Sequence, residues 1–351
     1  MSECLTSTVQ SYFIGANTSS GFLNCAEKRL HELNKLYIIK GGPGTGKSTL
    51  MKEISARASL LGYSVEQYYC SSDPASLDAI VIKELSVGVA DGTPPHVIEP
   101  TCVGIKEEFI DVTRFWNSDF LNELRSKILE LSSKKSENYS SAYRYLKAAS
   151  VIRTEEEAKL ALCFNQEKAQ KAIKRLMSHI KNGHGFIVDT KQISSIGMNG
   201  KSKLDTFEAL SDTVYTVLDK RGASSLIFDL VLDEAKKKEL KAQVSYDPLM
   251  RLEAVFFPEV KTLFTIYPSG KAINTERFII KEKYFSIKHK LRFLKYLKDE
   301  IITSAEMELK EAKKHHFSLE SIYSEAMDYV SLNDMTEEKI KEILSKFPKQ
   351  T

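Results

Sequence analysis

Residues 37–49 read Y-I-I-K-G-G-P-G-T-G-K-S-T. Gly41, Gly46, Lys47 and Ser48 satisfy the spacing G-x-x-x-x-G-K-[ST] of a phosphate-binding loop. Leu36-Tyr37-Ile38-Ile39 is a short apolar run rich in β-formers and predicts a buried strand. From Thr49 to Leu61, Leu50, Ile54, Ala58 and Leu61 recur at helical spacing, and Gly62 closes the segment as a C-terminal cap. Strand, glycine loop and helix form the order that a phosphate cradle needs. Glycines let the backbone turn tightly and approach an anion without a Cβ in the way. The loop amides and the helix N-terminus offer N–H groups and a positive dipole end. The expected binding segment is Gly41, Gly42, Pro43, Gly44, Thr45, Gly46, Lys47, Ser48 and Thr49. Within it Lys47 would reach the β- and γ-phosphates, and the Ser48 hydroxyl would ligate Mg2+. Pro43 pre-sets one backbone angle of the turn.

Working outward, no N-K-x-D stretch supports guanine, since Asn34-Lys35 continues into Leu36-Tyr37. There is also no S-G-G-Q-type stretch of a transporter ATPase half. ATP is the expected nucleotide by elimination.

Sliding the sequence against itself reveals an internal repeat. Phe13-Ile14-Gly15-Ala16-Asn17 returns as Ser195-Ile196-Gly197-Met198-Asn199, and Tyr37 returns as Tyr215. Asp73-Pro74 returns as Asp247-Pro248, and Leu77-Asp78-Ala79-Ile80 as Leu252-Glu253-Ala254-Val255. Further matches are Glu84-Leu85 with Glu259-Val260, Ile105-Lys106-Glu107 with Ile280-Lys281-Glu282, and Thr154-Glu155-Glu156 with Thr336-Glu337-Glu338. The matches are collinear, so the expected domains are 1–183, with the loop, and 184–351, a degenerate copy. In the second copy the loop reads Asp219-Lys220-Arg221-Gly222-Ala223-Ser224-Ser225-Leu226. Ser225 stands for Lys47 and Leu226 for Ser48, while Asp219 sets a negative charge where phosphates would lie. One nucleotide per chain is expected, in the first copy.

The same comparison sorts the acidic residues. Ser86 to Asp91 reads as a strand ending in a carboxylate, followed by Gly92-Thr93-Pro94-Pro95-His96. An Asp at that strand end is where a ligand of the Mg2+ water shell is expected. The second copy places Ile266 against Asp91 and Lys271 against His96, so both residues disappear along with Lys47 and Ser48. Lys47, Asp91 and His96 are therefore the catalytic candidates, with Ser48 and Asp91 for the metal. Asp73 is retained as Asp247 and reads as a turn residue after the strand Val65 to Cys70. Asp78 becomes Glu253 and rivals Asp91 for the acidic role.

Composition is that of an ordinary folded protein. Of 351 residues, 42% are hydrophobic and 28% charged, which excludes a disordered or collagen-like chain. The net charge of +3 gives no electrostatic case for nucleic acid. Five scattered cysteines show no zinc or disulfide spacing and fit a reducing cytoplasm. The N-terminus lacks a signal-peptide pattern, and no apolar run is long enough for a membrane span.

Residues 118–182 carry helical stripes, among them Leu121, Leu124, Ile128 and Leu131. The second copy has similar helices from about 288 to 326 and from 336 to 347. These are long insertions beyond a minimal P-loop sheet. They are candidates for a lid, with Arg125, Arg144 and Arg153 as finger candidates. The fold expected is α/β: a P-loop NTPase-like sheet with flanking helices, tandemly duplicated, the second copy degenerate.

The runs I-G-A-N-T-S-S-G-F, G-G-P-G-T-G-K-S-T, C-S-S-D-P-A-S-L-D and A-D-G-T-P-P-H resemble those of a poorly characterised bacterial family of duplicated P-loop ATPases. The resemblance covers nearly the whole chain and implies ATP binding without implying a substrate. The expected activity is Mg-dependent ATP binding and hydrolysis. Two further readings are a small-molecule kinase moving the γ-phosphoryl group and a non-catalytic nucleotide-dependent switch.

Overall fold

A computed structural model describes residues 8–94 and 97–345. His96 and its neighbour Pro95 lie outside the described residues. The chain is α/β and builds two mixed six-stranded sheets with flanking helices. The first copy contributes β1 (Val9–Phe13), β2 (Gly15–Thr18), β3 (Gly21–Asn24), α1 (Glu27–His31), β4 (Lys35–Lys40), α2 (Lys47–Leu60), β5 (Val65–Tyr69), β6 (Leu77–Ile82), β7 (Val87–Asp91) and β8 (Glu107–Asp111). Helices α3 (Ser118–Glu123), α4 (Arg125–Leu162) and α5 (Gln166–Met177) follow. The second copy runs β9 (Ile187–Thr190), β10 (Ser194–Gly197), β11 (Gly200–Lys203), α6 (Thr206–Ala209), β12 (Thr213–Leu218), α7 (Ser224–Lys237), β13 (Lys241–Tyr246), β14 (Leu252–Phe257), β15 (Thr262–Thr265) and β16 (Lys271–Asn274). It ends in α8 (Lys281–Glu325) and α9 (Tyr329–Ser345).

The sheets have one topology. The first is ordered β1-β5-β6-β7-β4-β8 and the second β9-β13-β14-β15-β12-β16. Each copy pairs the same strands in parallel and the same strands antiparallel. Even the irregularity is repeated: a register shift falls at Tyr68/Tyr69 in one sheet and at Ser245/Tyr246 in the other. A small hairpin, β2–β3 or β10–β11, accompanies each sheet.

Four of the sequence matches do not survive superposition of the topologies. The hairpins close at Thr18 and Gly21 in one copy and at Gly197 and Gly200 in the other, so Gly15 matches Ser194 and the run Phe13–Asn17 is displaced by three residues from Ser195–Asn199. Tyr37 pairs with Glu108 on β8, while its counterpart Tyr215 pairs with Lys271 on β16. Lys271 therefore matches Glu108, not His96, and Ile105-Lys106-Glu107 does not match Ile280-Lys281-Glu282. The cause is a connection after β7 that is longer in the first copy, residues 92–106, than its counterpart 266–270. Thr154 lies on α4 but Thr336 on α9, so that match is a coincidence of charged helical sequence.

The two sheets share a core. Leu36, Ile38 and Val81 of one meet Ala254, Phe256 and Leu263 of the other, with Leu30 of α1 and Phe207 of α6 between them. On the outer faces the chain crosses over. Helix α4 packs antiparallel against α8, with Ala142, Leu146 and Ala149 against Ala305 and Leu309. At 38 and 45 residues, these helices run roughly 57 and 68 Å. They carry the chain from one sheet to the other. As a result α5 covers the second sheet through Ala169, Ile173 and Met177. Helix α9 covers the first through Leu332, Met335, Ile340 and Ile343. The repeats follow the chain across residue 183, but each outer layer is completed by the other repeat's last helix.

Candidate functional site

Strand β4 delivers the glycine loop, and α2 leaves it. Tyr37 and Ile39 point into the core beneath α2 with Leu50, Met51 and Ile54, so the turn between them is held at both ends. Gly44 and Gly46 adopt φ of +70° and +82°, a region that any Cβ disfavours. Thr45 Oγ1 donates to the Gly42 carbonyl at 2.8 Å and ties the turn together. The backbone N–H groups of Gly44, Thr45, Gly46 and Lys47 find no protein acceptor among the described residues. Four backbone donors without an acceptor at a helix N-terminus could receive an anion.

Lys47 is 9% exposed. Its ammonium donates to the Gly41 carbonyl at 3.2 Å and to the Gly42 carbonyl, and lies 3.6 Å from Asp91 Oδ2. Asp91 ends β7, whose register sets it beside Ile39 at the mouth of the loop. Its Oδ1 accepts from Thr93 N and Oγ1. Burial pushes the Asp91 carboxyl above its ordinary range, against the pull of Lys47 and the Thr93 bonds; Asp78 adds to the rise. Asp78 stands on the neighbouring strand, next to Ala79, which pairs with Ala90. Burial pushes the Cys70 thiol well above its ordinary value, and the charge of Asp78 adds to the rise. Asp73 lies in the turn between β5 and β6, where its Oδ1 accepts from Ala75 N. Ser48 Oγ accepts from Leu77 N at 2.9 Å, which orients the hydroxyl oxygen toward the same strand ends.

The described residues contain no cluster of three or more His, Cys, Asp or Glu side chains able to hold a metal alone. Magnesium bound with a nucleotide needs less, because phosphate and water oxygens complete its shell. Ser48 and Asp91, flanking Lys47, fit that requirement.

The second copy's loop has the same frame and a different content. Gly222 keeps a positive φ of 88°. Asp219 Oδ1 accepts from Arg221 N at 3.2 Å and from Gly222 N and Ala223 N at 2.8 Å each, and Oδ2 accepts from Ser224 N at 2.7 Å. The cradle is filled by its own carboxylate. At the strand end, Thr216 pairs with Thr265, so the next residue, Ile266, holds the register that Asp91 holds in the first copy.

The corner between α8 and α9 covers the intact loop. A Cβ on Gly42 would stand 2.8 Å from the Tyr323 ring, and one on Gly44 would stand 2.7 Å from the Glu320 carbonyl. Tyr329 Oη donates to the Gly44 carbonyl at 2.9 Å. Glycine is thus required here by helix packing as well as by any anion. Of the arginine candidates, none is brought to the loop. Arg125 is exposed at the start of α4, and Arg144 donates to Ser141. Arg153 pairs with Glu157 beyond the middle of α4, toward the end that meets the Gly222 loop.

Sequence reasoning missed Lys135. It sits on α4 one turn before Tyr139, whose hydroxyl donates to Ser72, and so on the face turned toward the first sheet. Burial lowers its pKa below the usual lysine value; Glu320 opposes the shift and Lys47 adds to it. No helix among the described residues is long and apolar enough to cross a membrane. Comparison with family models, curated proteins and solved structures gives no match to this chain.

Proposed function

We propose that the chain is an Mg-dependent ATP-binding protein that hydrolyses ATP at a single P-loop, Gly41 to Thr49. The observation that supports this most is the contrast between the two loops. The first holds four backbone N–H groups without an acceptor, with Lys47 alongside. The second spends three of the equivalent groups, those of Gly222, Ala223 and Ser224, on Asp219, which also accepts from Arg221 N. A carboxylate seated in one copy marks the place for an anion in the other.

In this reading the loop amides bind the phosphate tail, and Lys47 exchanges its carbonyl partners for β- and γ-phosphate oxygens. Ser48 and Asp91 would hold Mg2+, Asp91 through water. Bound Mg2+ supplies charge neutralisation across the phosphate oxygens. Release of Lys47 from Asp91 leaves the carboxylate oriented by Thr93 and able to order a water. A switch is a second reading, favoured by the contact of Tyr329 and Tyr323 with the loop. Through it, occupancy of the loop would bear on a helix pair that reaches the other sheet.

Calorimetric titration with a non-hydrolysable Mg-ATP analogue, beside a phosphate-release assay, tests the proposal. One site per chain with phosphate release is the expected result. Absence of binding, or two equivalent sites, would overturn it. Tight binding without turnover would select the switch, and ADP formation that requires a small-molecule acceptor would select a kinase.

A further inference from the structure

Helices α4 and α8 carry one pattern displaced by a constant interval. Ala142, Leu146 and Ala149 of α4 correspond to Ala305, Leu309 and Ala312 of α8, each pair 163 residues apart. The same interval equates the ion pair Arg153–Glu157 with the contact between His316 and Glu320, both spaced four residues apart. It also equates Lys135 with Lys298, and Glu156 with Leu319.

That last substitution separates the two ends. Beside the self-filled loop, Lys298 is buried and closed by Glu156 Oε2 at 2.5 Å. The Glu156 carboxylate in turn lies against Gly222. Beside the intact loop, Leu319 occupies the position of Glu156 and is fully buried. Lys135 thus lacks the carboxylate that closes on Lys298; among the described residues no ion pair forms on it. Glu320 of α8, whose charge acts on Lys135, lies 3.3 Å from His316 Nε2.

A half-buried lysine near a second lysine, with Glu320 acting on it but no carboxylate at ion-pair distance, is unfavourable on its own. The cost disappears if an anion joins both. The exchange is reciprocal: where the loop holds its own anion, the helix lysine has a carboxylate; where the loop is intact, that carboxylate is a leucine. We infer that Lys135 is a second phosphate-contacting cation of the P-loop site, brought by α4 to the terminal phosphoryl group of a nucleoside triphosphate. The inference rests on the nucleotide reading of Gly41 to Thr49. The loop amides and Lys47 approach the phosphate tail from the sheet. Lys135 approaches from the helical side and meets its outer end.

The test compares the parent, Lys135→Gln, Lys135→Arg and Lys47→Ala by calorimetric titration with a non-hydrolysable Mg-ATP analogue and with Mg-ADP. Lys135→Gln is expected to weaken the triphosphate analogue about tenfold or more and Mg-ADP less than threefold. Lys135→Arg should restore most of the loss, because a cation is kept. Thermal unfolding of Lys135→Gln should match or exceed the parent, since a half-buried charge is removed. If Lys135→Gln binds both ligands like the parent while Lys47→Ala loses both, the role of Lys135 is refuted and the nucleotide reading stands. Equal losses for the two ligands would refute the terminal-phosphate assignment. A parent that binds neither ligand would refute both.

Discussion

The Lys47 ammonium stands 3.6 Å from Asp91 Oδ2, with both side chains about nine-tenths buried. A buried pair of this kind loses more when one partner is removed than it contributes when intact. Lys47→Ala should therefore do two things. It should weaken Mg-ATP binding at least tenfold, about 1.4 kcal/mol, by removing the cation aimed at the phosphates. It should also leave Asp91 buried without a cation, so the ligand-free protein should melt at a lower temperature. Lys47→Ala combined with Asp91→Asn should recover part of that stability and none of the affinity. Asp91→Asn alone should keep most of the affinity and reduce turnover at least tenfold. Titration, phosphate release and thermal melts on the three variants check these outcomes.

Asp219 satisfies four backbone donors of the second loop. Asp219→Ala strips their acceptor and should destabilise the chain by about 1–3 kcal/mol. It should not create a second nucleotide site, because Ser225 and Leu226 supply neither cation nor metal ligand. Urea unfolding, with analogue titration of the same variant, would read both effects; a stoichiometry of two would show that the carboxylate alone had blocked the site.

The crossed outer helices give a regional prediction. Ile340 of α9 is 1% exposed in the core of the first sheet, and Ile173 of α5 is fully buried in that of the second. Either residue changed to Ala should cost about 2–5 kcal/mol. Hydrogen exchange should show Ile340→Ala loosening α2 and β4 first, although these lie about 300 positions away. Ile173→Ala should loosen α7 and β12 first. The reverse assignment would mean that each repeat packs its own last helix.

Glu253 is buried beneath Ser194, Ser245 and Tyr267, which all donate to it. Burial nonetheless holds its carboxyl above the ordinary range, the three hydrogen bonds opposing. The folded state therefore keeps this proton at a pH where the unfolded chain has lost it, and stability falls as pH rises through that interval. Glu253→Gln abolishes the proton's contribution. Its stability relative to the parent should improve from about pH 4, the ordinary carboxylate value, upward. Melting temperatures of both proteins from pH 4 to 8 would show it; a relative stability independent of pH would mean that the carboxyl titrates normally.

The sequence by itself determined whatever is local or periodic. The glycine loop, its strand and its helix are fixed by thirteen or so neighbouring residues, because backbone angles and short-range hydrogen bonds depend on adjacent side chains. The duplication was legible for the same reason: strands and the Asp-Pro turn keep their spacing between copies, whereas the hairpin match was off by three residues. So was the loss of Lys47 and Ser48 from the second loop. Matches in the long helices misled, since charged helical sequence repeats without meaning and the connection after β7 changed the interval. The tertiary structure alone decided which helix covers which sheet, that Asp219 turns its carboxylate into its own cradle, and that Lys135 comes within electrostatic reach of Lys47. These depend on where two helices of roughly 60 Å deliver their ends. That is set by the packing of Ala142, Leu146 and Ala149 against Ala305 and Leu309, a contact between segments some 160 positions apart.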